Sequence, residues 1–231
     1  MNIFANIVNN LYLFYQPIVK IKNSQKYFPR MYMSKQIKFF IKSCIIFSTL
    51  SFGFSMTGFL FSEDSEILGS PFIVSDPTPE HILGHILFGM IAGAISLSLK
   101  YVFMSGAFAL LVDADHLLQF FNVEMIARMV HSLPFAVIIA VIMLYIFGKK
   151  DYRLAAISFS AIISHIAYDI LFVGQIYPGS ASGFPLFSPF TVEIIKFQGL
   201  DWLYLEILAI VIIGVIAILD RKISIKKHIE K

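Results

Sequence analysis

Residues 154–176 read LAAISFSAIISHIAYDILFVGQI, an apolar stretch that contains two ionisable side chains, His165 and Asp169. The hydrocarbon core of a bilayer is about 30 Å thick, and about 20 helical residues cross it. The stretch therefore predicts a membrane-spanning helix. The two ionisable residues are one helical turn apart and lie on the same face. Because ionisable groups inside a membrane are costly, the pair indicates a functional site.

The composition of the whole chain is typical of an integral membrane protein. Of its 231 residues, 58% are apolar and 14% are charged, and the mean hydropathy is +0.78. A net charge of +3 is too small for a nucleic-acid groove, so no nucleic-acid partner is expected. The single cysteine, Cys44, excludes an intramolecular disulfide framework and a cysteine-based zinc site. Any metal would have to be bound by histidines and carboxylates.

Further apolar stretches of suitable length lie on both sides of residues 154–176. The predicted spans are residues 39–61, 81–99, 101–121, 132–147, 154–176 and 202–219. The predicted fold is an all-α, polytopic transmembrane helix bundle of about six spans. Residues 177–190 contain three prolines and two glycines, and they predict an outer loop or a re-entrant cap over the site.

Basic residues decide the predicted orientation, because Lys and Arg accumulate on the cytoplasmic side of spans. All of them except Arg128 and Lys196 fall on one side of the predicted helices. Both termini are therefore expected in the cytoplasm, with multi-pass insertion in the cell membrane. The predicted organisation is a cytoplasmic or interfacial segment at 1–38, a transmembrane domain at 39–220 and a basic tail at 221–231. The first segment is either an interfacial helix or the result of a misassigned start before Met31 or Met33.

Most of the histidines and several aspartates lie in the predicted spans or at their ends. They are His81, His85, His116, His131 and His165, with Asp113, Asp115 and Asp169. The spans alternate in direction, and a helix rises about 1.5 Å per residue, so most of these side chains fall in the outer half of the membrane. Singly, each has a simpler interpretation as a polar packing residue or a solvated helix end. Together they predict one shared polar site.

Imidazole and carboxylate groups in combination are suitable ligands for Zn²⁺, Mn²⁺ or Fe²⁺. A divalent cation would also neutralise aspartates that are otherwise costly inside a membrane. We therefore expect a divalent metal ion, with Zn²⁺ preferred, and the predicted ligands are His85, Asp113, His116, His165 and Asp169. Asp115 points away from Asp113 on a regular helix, and it either joins the site at a helix end or orients a ligating imidazole. Whether His81 is a further ligand stays open.

Five short motifs occur in an order that is typical of a known family. They are HILFG at 85–89, DADH at 113–116, HS at 131–132, SHIAYD at 164–169 and GFPLFSP at 183–189. In these motifs the sequence resembles the membrane-bound metal-dependent hydrolase family, which includes LexA-regulated hydrolases of the bacterial inner membrane. The resemblance covers about residues 78–200. It implies hydrolytic activity and a metal centre built from His85, Asp113, Asp115, His116, His131, His165 and Asp169.

The sequence also departs from the pattern of that family. The family usually has His-Arg-Gly shortly before the His-Ser pair, whereas this chain keeps only Arg128 there. The missing histidine removes either a ligand or a hydrogen-bond donor that orients one. His81 is an additional histidine that can compensate for the loss.

The expected function is a membrane-embedded, metal-dependent hydrolase that acts on a lipid-like or phosphoester substrate at the outer leaflet. His131 or Asp115 is the predicted general base or orienting residue, and Arg128 is predicted to attract an anionic leaving group. One alternative is a transporter of divalent cations or protons. The scarcity of polar residues in the inner half of the membrane disfavours this alternative. The other alternative is a non-catalytic membrane protein with a structural metal site.

Overall fold

A computed structural model describes residues 35–57, 78–114, 129–176, 182–191 and 193–229 of the chain. In these ranges the elements are α1 (Lys35–Ser55), α2 (Pro79–Ala94), α3 (Leu99–Leu111), α4 (Leu133–Asp151), α5 (Arg153–Ile176), β1 (Ser182–Phe184), β2 (Ile195–Phe197) and α6 (Asp201–Ile229). The chain divides into two compact units, Met1–Ile41 and Lys42–Lys231. Only residues 35–41 of the first unit are described.

The predominantly helical fold is confirmed, and the described part of the chain contains helices that could span a membrane. Within the described ranges, three helices are long and apolar enough to cross a bilayer, over Lys35–Ser55, Arg153–Val173 and Asp201–Arg221. The apolar part of α4, Leu133–Lys149, is shorter. The helices α2 and α3 have 16 and 13 residues, fewer than the roughly 20 that a perpendicular span requires. The count of six spans and the cytoplasmic position of both termini stay predictions.

The predicted third span is not one regular helix over residues 101–121. The helix α3 ends at Leu111, a 3₁₀ turn covers residues 112–114, and residues 115–128 lie outside the described ranges. The hydroxyl of Ser51 in α1 donates a buried hydrogen bond of 2.6 Å to the carbonyl of Val112. This bond satisfies one of the carbonyl groups that a helix end leaves without a partner. The turn therefore positions Asp113, which was predicted to lie on a regular helix.

A second difference is an antiparallel strand pair after α5. Strands β1 and β2 pair with Ser182 opposite Phe197 and Phe184 opposite Ile195. The prolines and glycines of this region correctly excluded a continuous helix. A strand of three residues is too short for an alternating pattern to be recognised, so the all-α prediction missed the pair.

The helix α5 is the central helix of the second unit. Of its apolar stretch 72% is buried, against 17% of the corresponding stretch in α6. The helices α2, α3, α4 and α6 all pack against α5. On the outer helices α4 and α6, side chains such as Val141, Val211 and Ile218 are more than half exposed. Apolar surface of this extent suits a lipid environment better than water.

Glycines allow α2 and α3 to pack at close range. A Cβ atom at Gly89 would lie 2.5 Å from the carbonyl oxygen of Ser105 and 2.7 Å from the Cβ of Ala109. A Cβ atom at Gly93 would lie 2.8 Å from the carbonyl oxygen of Tyr101. Small residues that let two helix backbones approach are typical of helix pairs in membranes. The backbone of α2, which carries two of the cluster histidines described below, is thereby held against α3.

A methyl group at position 89 would push α2 and α3 apart. We expect Gly89→Ala to lower the free energy of unfolding by about 1–3 kcal/mol, the usual cost of overpacking. Gly214→Ala is the matched control, because its added Cβ would meet its nearest neighbour, Ile95 Cγ1, at 3.8 Å. Thermal unfolding in detergent measures both variants. An unfolding temperature of Gly89→Ala equal to that of wild type would contradict the close packing.

An ionic network lies at the end of the bundle that is predicted to face the cytoplasm. The carboxylate of Asp151 accepts hydrogen bonds from the Tyr101 hydroxyl (2.6 Å to Oδ2), from Lys100 and from Arg153 Nε (3.2 Å). Arg153 also donates a hydrogen bond of 2.9 Å to Asp220 in α6. Burial raises the pKa of the Asp151 carboxyl, but the hydrogen bonds and positive charges around it outweigh burial. Its pKa therefore lies below the ordinary value of 3.8.

We expect Asp151→Asn to lower the free energy of unfolding by roughly 1–3 kcal/mol, because Lys100 and Tyr101 lose an ionised acceptor. Because the pKa of Asp151 is lowered in the folded state, its carboxylate contributes fully to the free energy of unfolding above the ordinary pKa. This contribution declines as the pH falls through the lowered pKa. The difference between variant and wild type should therefore be largest at neutral pH and shrink in acid. Glu193→Gln is the control, because that carboxylate is exposed. A difference that does not vary with pH would contradict the role of the ionised carboxylate.

Candidate metal centre

Six histidine and aspartate side chains from four parts of the second unit converge at one place. They are His81 and His85 of α2, Asp113 of the turn after α3, His131 just before α4, and His165 and Asp169 of α5. Four of the five predicted metal ligands, His85, Asp113, His165 and Asp169, thus lie together. The fifth, His116, lies outside the described residues, as do Asp115 and Arg128. We refer to the six converging residues as the His/Asp cluster.

Helix caps position the two cluster histidines that lie at helix starts. The hydroxyl of Thr78 accepts a hydrogen bond of 3.2 Å from the backbone N–H of His81, and Pro79 begins α2. The hydroxyl of Ser132 likewise accepts a hydrogen bond of 3.3 Å from the N–H of Phe135 at the start of α4. His131 directly precedes this cap. Thr, Ser and Pro at these positions are the usual signals for the beginning of a helix.

Asp169 contacts all four histidines of the His/Asp cluster. Its Oδ1 lies 3.1 Å from the Nε2 of His81 and 3.4 Å from the Nε2 of His85. Its Oδ2 lies 3.2 Å from the Nε2 of His131 and 3.4 Å from the Nε2 of His165. Every imidazole in the cluster thus directs the same ring nitrogen at this carboxylate.

Asp113 contacts three of the same histidines. Its Oδ2 lies 3.5 Å from the Nε2 of His85. Its Oδ1 lies 3.3 Å from the Nε2 of His165 and 3.6 Å from that of His131. The 3₁₀ turn after α3, which the hydrogen bond from Ser51 holds, therefore brings a second carboxylate to the cluster.

The spacing and protonation of these atoms fit a divalent cation. Ligand atoms bound about 2.0–2.2 Å from one ion lie about 2.8–3.6 Å from one another, which is the range of the contacts observed. The Nδ1 of His165 donates a hydrogen bond of 2.7 Å to the carbonyl of Ala109. Because a carbonyl only accepts, Nδ1 carries a proton, and a neutral ring with this tautomer would direct the lone pair of Nε2 into the cluster. The His/Asp cluster can therefore bind a metal ion.

The His/Asp cluster is buried, but its carboxylates are more accessible than two of its imidazoles. The side chains of Asp113 and Asp169 are 12% and 11% exposed, whereas those of His85 and His165 are 1% and 0% exposed. The accessible edge of the site is therefore formed by carboxylate. Phe184 in β1 stacks on His131, with ring centroids 5.5 Å apart. Through this contact, part of the loop after α5 lies over the site. The depth of the site in the membrane stays a prediction.

Glu206 in α6 is a buried carboxylate that the sequence analysis missed. It is 5% exposed, and its Oε2 accepts a hydrogen bond of 2.7 Å from the hydroxyl of Ser164, the residue before His165. Its Oε1 has no hydrogen-bond partner within the described part of the chain. An acidic residue inside the predicted span 202–219 was the available signal.

Comparison with known proteins gives one family. A family model described as "YdjM inner membrane protein" matches residues 78–229, well over half of the chain. No curated protein and no solved structure matches the chain significantly. The matched range contains all six residues of the His/Asp cluster, and the family description confirms the predicted membrane location while naming neither hydrolysis nor a metal. The chain therefore belongs to the YdjM inner membrane protein family.

Proposed function

We propose that this protein is a membrane-embedded, metal-dependent hydrolase whose site opens toward the outer leaflet. The observation that carries the proposal is the convergence of four imidazoles and two carboxylates in three overlapping groups, each with its ligand atoms within 4.8 Å. Zn²⁺ is the preferred ion because imidazole and carboxylate ligands suit it, and Mn²⁺ and Fe²⁺ are the alternatives.

The residues of the chain have distinct roles in this proposal. A divalent ion held here would supply Lewis-acid chemistry, which lowers the pKa of water and polarises an ester. The hydrogen bond from His165 to the Ala109 carbonyl fixes the tautomer that leaves Nε2 free to bind. His131, which the sequence analysis gave the role of general base or orienting residue, contacts Asp169 as the other imidazoles do, so we assign it to ion binding.

The residues outside the described ranges keep their predicted roles within the proposal. Asp115 is the candidate general base, and His116 is a further ligand. Arg128 is the candidate contact for an anionic leaving group.

We propose a lipid-like or phosphoester substrate that reaches the site from the membrane. Membership of an inner membrane protein family supports contact with lipid. The accessible edge at Asp113 and Asp169 supports entry from the carboxylate side, where a bound cation would meet an anionic substrate.

One feature favours transport of divalent cations instead. Glu206 is a buried carboxylate that accepts a hydrogen bond from Ser164, and buried acidic groups in membrane helices mark ion pathways in many transporters. Transport requires sealed vesicles, whereas hydrolysis proceeds in detergent. Turnover by the detergent-solubilised protein therefore separates the two functions.

We expect protein purified in detergent to carry a divalent metal and to hydrolyse members of a panel of phosphomonoesters, phosphodiesters and phospholipids. Asp113→Asn should reduce metal content and turnover by at least about tenfold, because it removes a ligand charge. Asp201→Asn is the matched control, since Asp201 lies at the start of α6 outside the cluster. Elemental analysis and initial rates are the measurements.

Two outcomes of this experiment would argue against the proposal. Negligible metal in wild type and variant alike would contradict the metal site. Bound metal without turnover on any substrate would contradict the hydrolase and favour a structural metal site.

The proposed orientation predicts a labelling pattern in a Cys44→Ser background. Thr191→Cys, in the exposed loop after β1, should react with a membrane-impermeant maleimide in spheroplasts. Arg221→Cys, at the opposite end of the predicted span, should react only after the membrane is permeabilised. The reverse pattern would place the site on the cytoplasmic side.

A further inference from the structure

The four histidines of the His/Asp cluster divide into two pairs. His81 and His85 lie one turn apart on α2, with their Nε2 atoms 3.0 Å apart, and we call them the α2 pair. His131 and His165 have Nε2 atoms 2.9 Å apart, and we call them the α5 pair. Among the described residues, His81 groups with His85 and Asp169 as possible metal ligands, and His131 groups with His165 and Asp169. A third group, His85, Asp113 and His165, contains one histidine of each pair.

The stacking of two of their rings disfavours one ion shared by both pairs. The rings of His85 and His165 lie nearly parallel, at an angle of 10°, with centroids 3.8 Å apart. The lone pair of a ring nitrogen lies in the plane of the ring, and the bond to a metal is about 2.0–2.1 Å long. An ion midway between two parallel rings would lie far out of both planes. In this arrangement the two imidazoles would bind separate ions better than one shared ion.

Each carboxylate of the cluster divides its oxygens between the two pairs. Asp169 directs Oδ1 at the α2 pair (3.1 and 3.4 Å) and Oδ2 at the α5 pair (3.2 and 3.4 Å). Asp113 directs Oδ2 at the α2 pair, 3.5 Å from His85, and Oδ1 at the α5 pair, 3.3 Å from His165 and 3.6 Å from His131. A carboxylate in this arrangement is placed to bridge two ions.

We propose that the His/Asp cluster is a dinuclear centre with Asp113 and Asp169 as bridging ligands. One ion is bound by the α2 pair and one oxygen of each carboxylate, and the other by the α5 pair and the remaining oxygens. His81, which is additional to the motifs of the sequence, completes the first of these sites. The dinuclear centre adds detail to the proposed hydrolase function and rests on that function for the class of substrate. Paired ions about 3.5–4 Å apart occur in many enzymes that cleave phosphoesters, so the dinuclear centre favours a phosphoester among the proposed substrates.

The full-length protein in detergent, loaded with Mn²⁺, tests the proposal directly. We expect two ions per chain by elemental analysis, and an electron paramagnetic resonance spectrum of spin-coupled Mn²⁺. One ion per chain with an uncoupled spectrum would overturn the dinuclear centre and leave a mononuclear hydrolase standing. No bound ion would overturn both proposals. Two coupled ions without phosphoester turnover would support the centre and overturn only the hydrolase.

The variant His81→Ala separates the dinuclear centre from a single-ion site. It should lower the Mn²⁺ content from two ions to one and abolish the spin coupling. A single ion held by His85, Asp113 and His165 would be unaffected by this substitution. His228→Ala, near the end of α6, is the matched histidine control and should retain two ions. If His81→Ala does not fold, the stoichiometry and spectrum of the wild-type protein decide the question.

Discussion

The rest of the structure depends on how two carboxylates are accommodated among apolar helices. An aspartate in the centre of a membrane costs a few kcal/mol even when it can adjust its position. The side chains of Asp113 and Asp169 are only about a tenth exposed, and histidine ring nitrogens face both carboxylates. Imidazoles alone do not compensate two negative charges unless they are protonated. A divalent cation compensates the charge and uses the lone pairs at the same time.

The surrounding helices hold these groups in place through contacts that involve no ion. The central helix α5 supplies one histidine and one aspartate from adjacent turns. Close packing of α2 against α3 is possible because Gly89 and Gly93 lack side chains. The bond from Ser51 to Val112 fixes the turn that carries Asp113. The bundle therefore positions these groups without an ion, which would limit the conformational entropy lost if a cation binds.

Much of the site could be predicted from the sequence, because helix rise and alternating direction are simple constraints. They placed His85, Asp113, His165 and Asp169 at one depth, and the structure brings these four residues together. That they bind metal is the proposal. The family resemblance in the sequence implied the same residues. The family match confirms that the protein belongs to a membrane family, and the hydrolase assignment remains a proposal.

Other features of the structure could not be predicted from the sequence. Hydropathy does not show where α3 ends, so the 3₁₀ turn at Asp113 was not predicted. The division of the histidines into two pairs depends on side-chain rotamers and ring stacking, which no spacing in the sequence specifies. Glu206 was not predicted, because a single glutamate in an otherwise apolar span belongs to none of the histidine and aspartate motifs.

The central claim is that buried imidazoles and carboxylates hold a divalent ion in this protein. X-ray absorption spectroscopy of zinc-loaded protein in detergent tests that claim most directly, because it reports the ligands themselves. The account predicts nitrogen and oxygen scatterers at about 2.0–2.2 Å from the metal, with the outer-atom scattering of several imidazoles. A spectrum of hydrated zinc without imidazole scattering would contradict it.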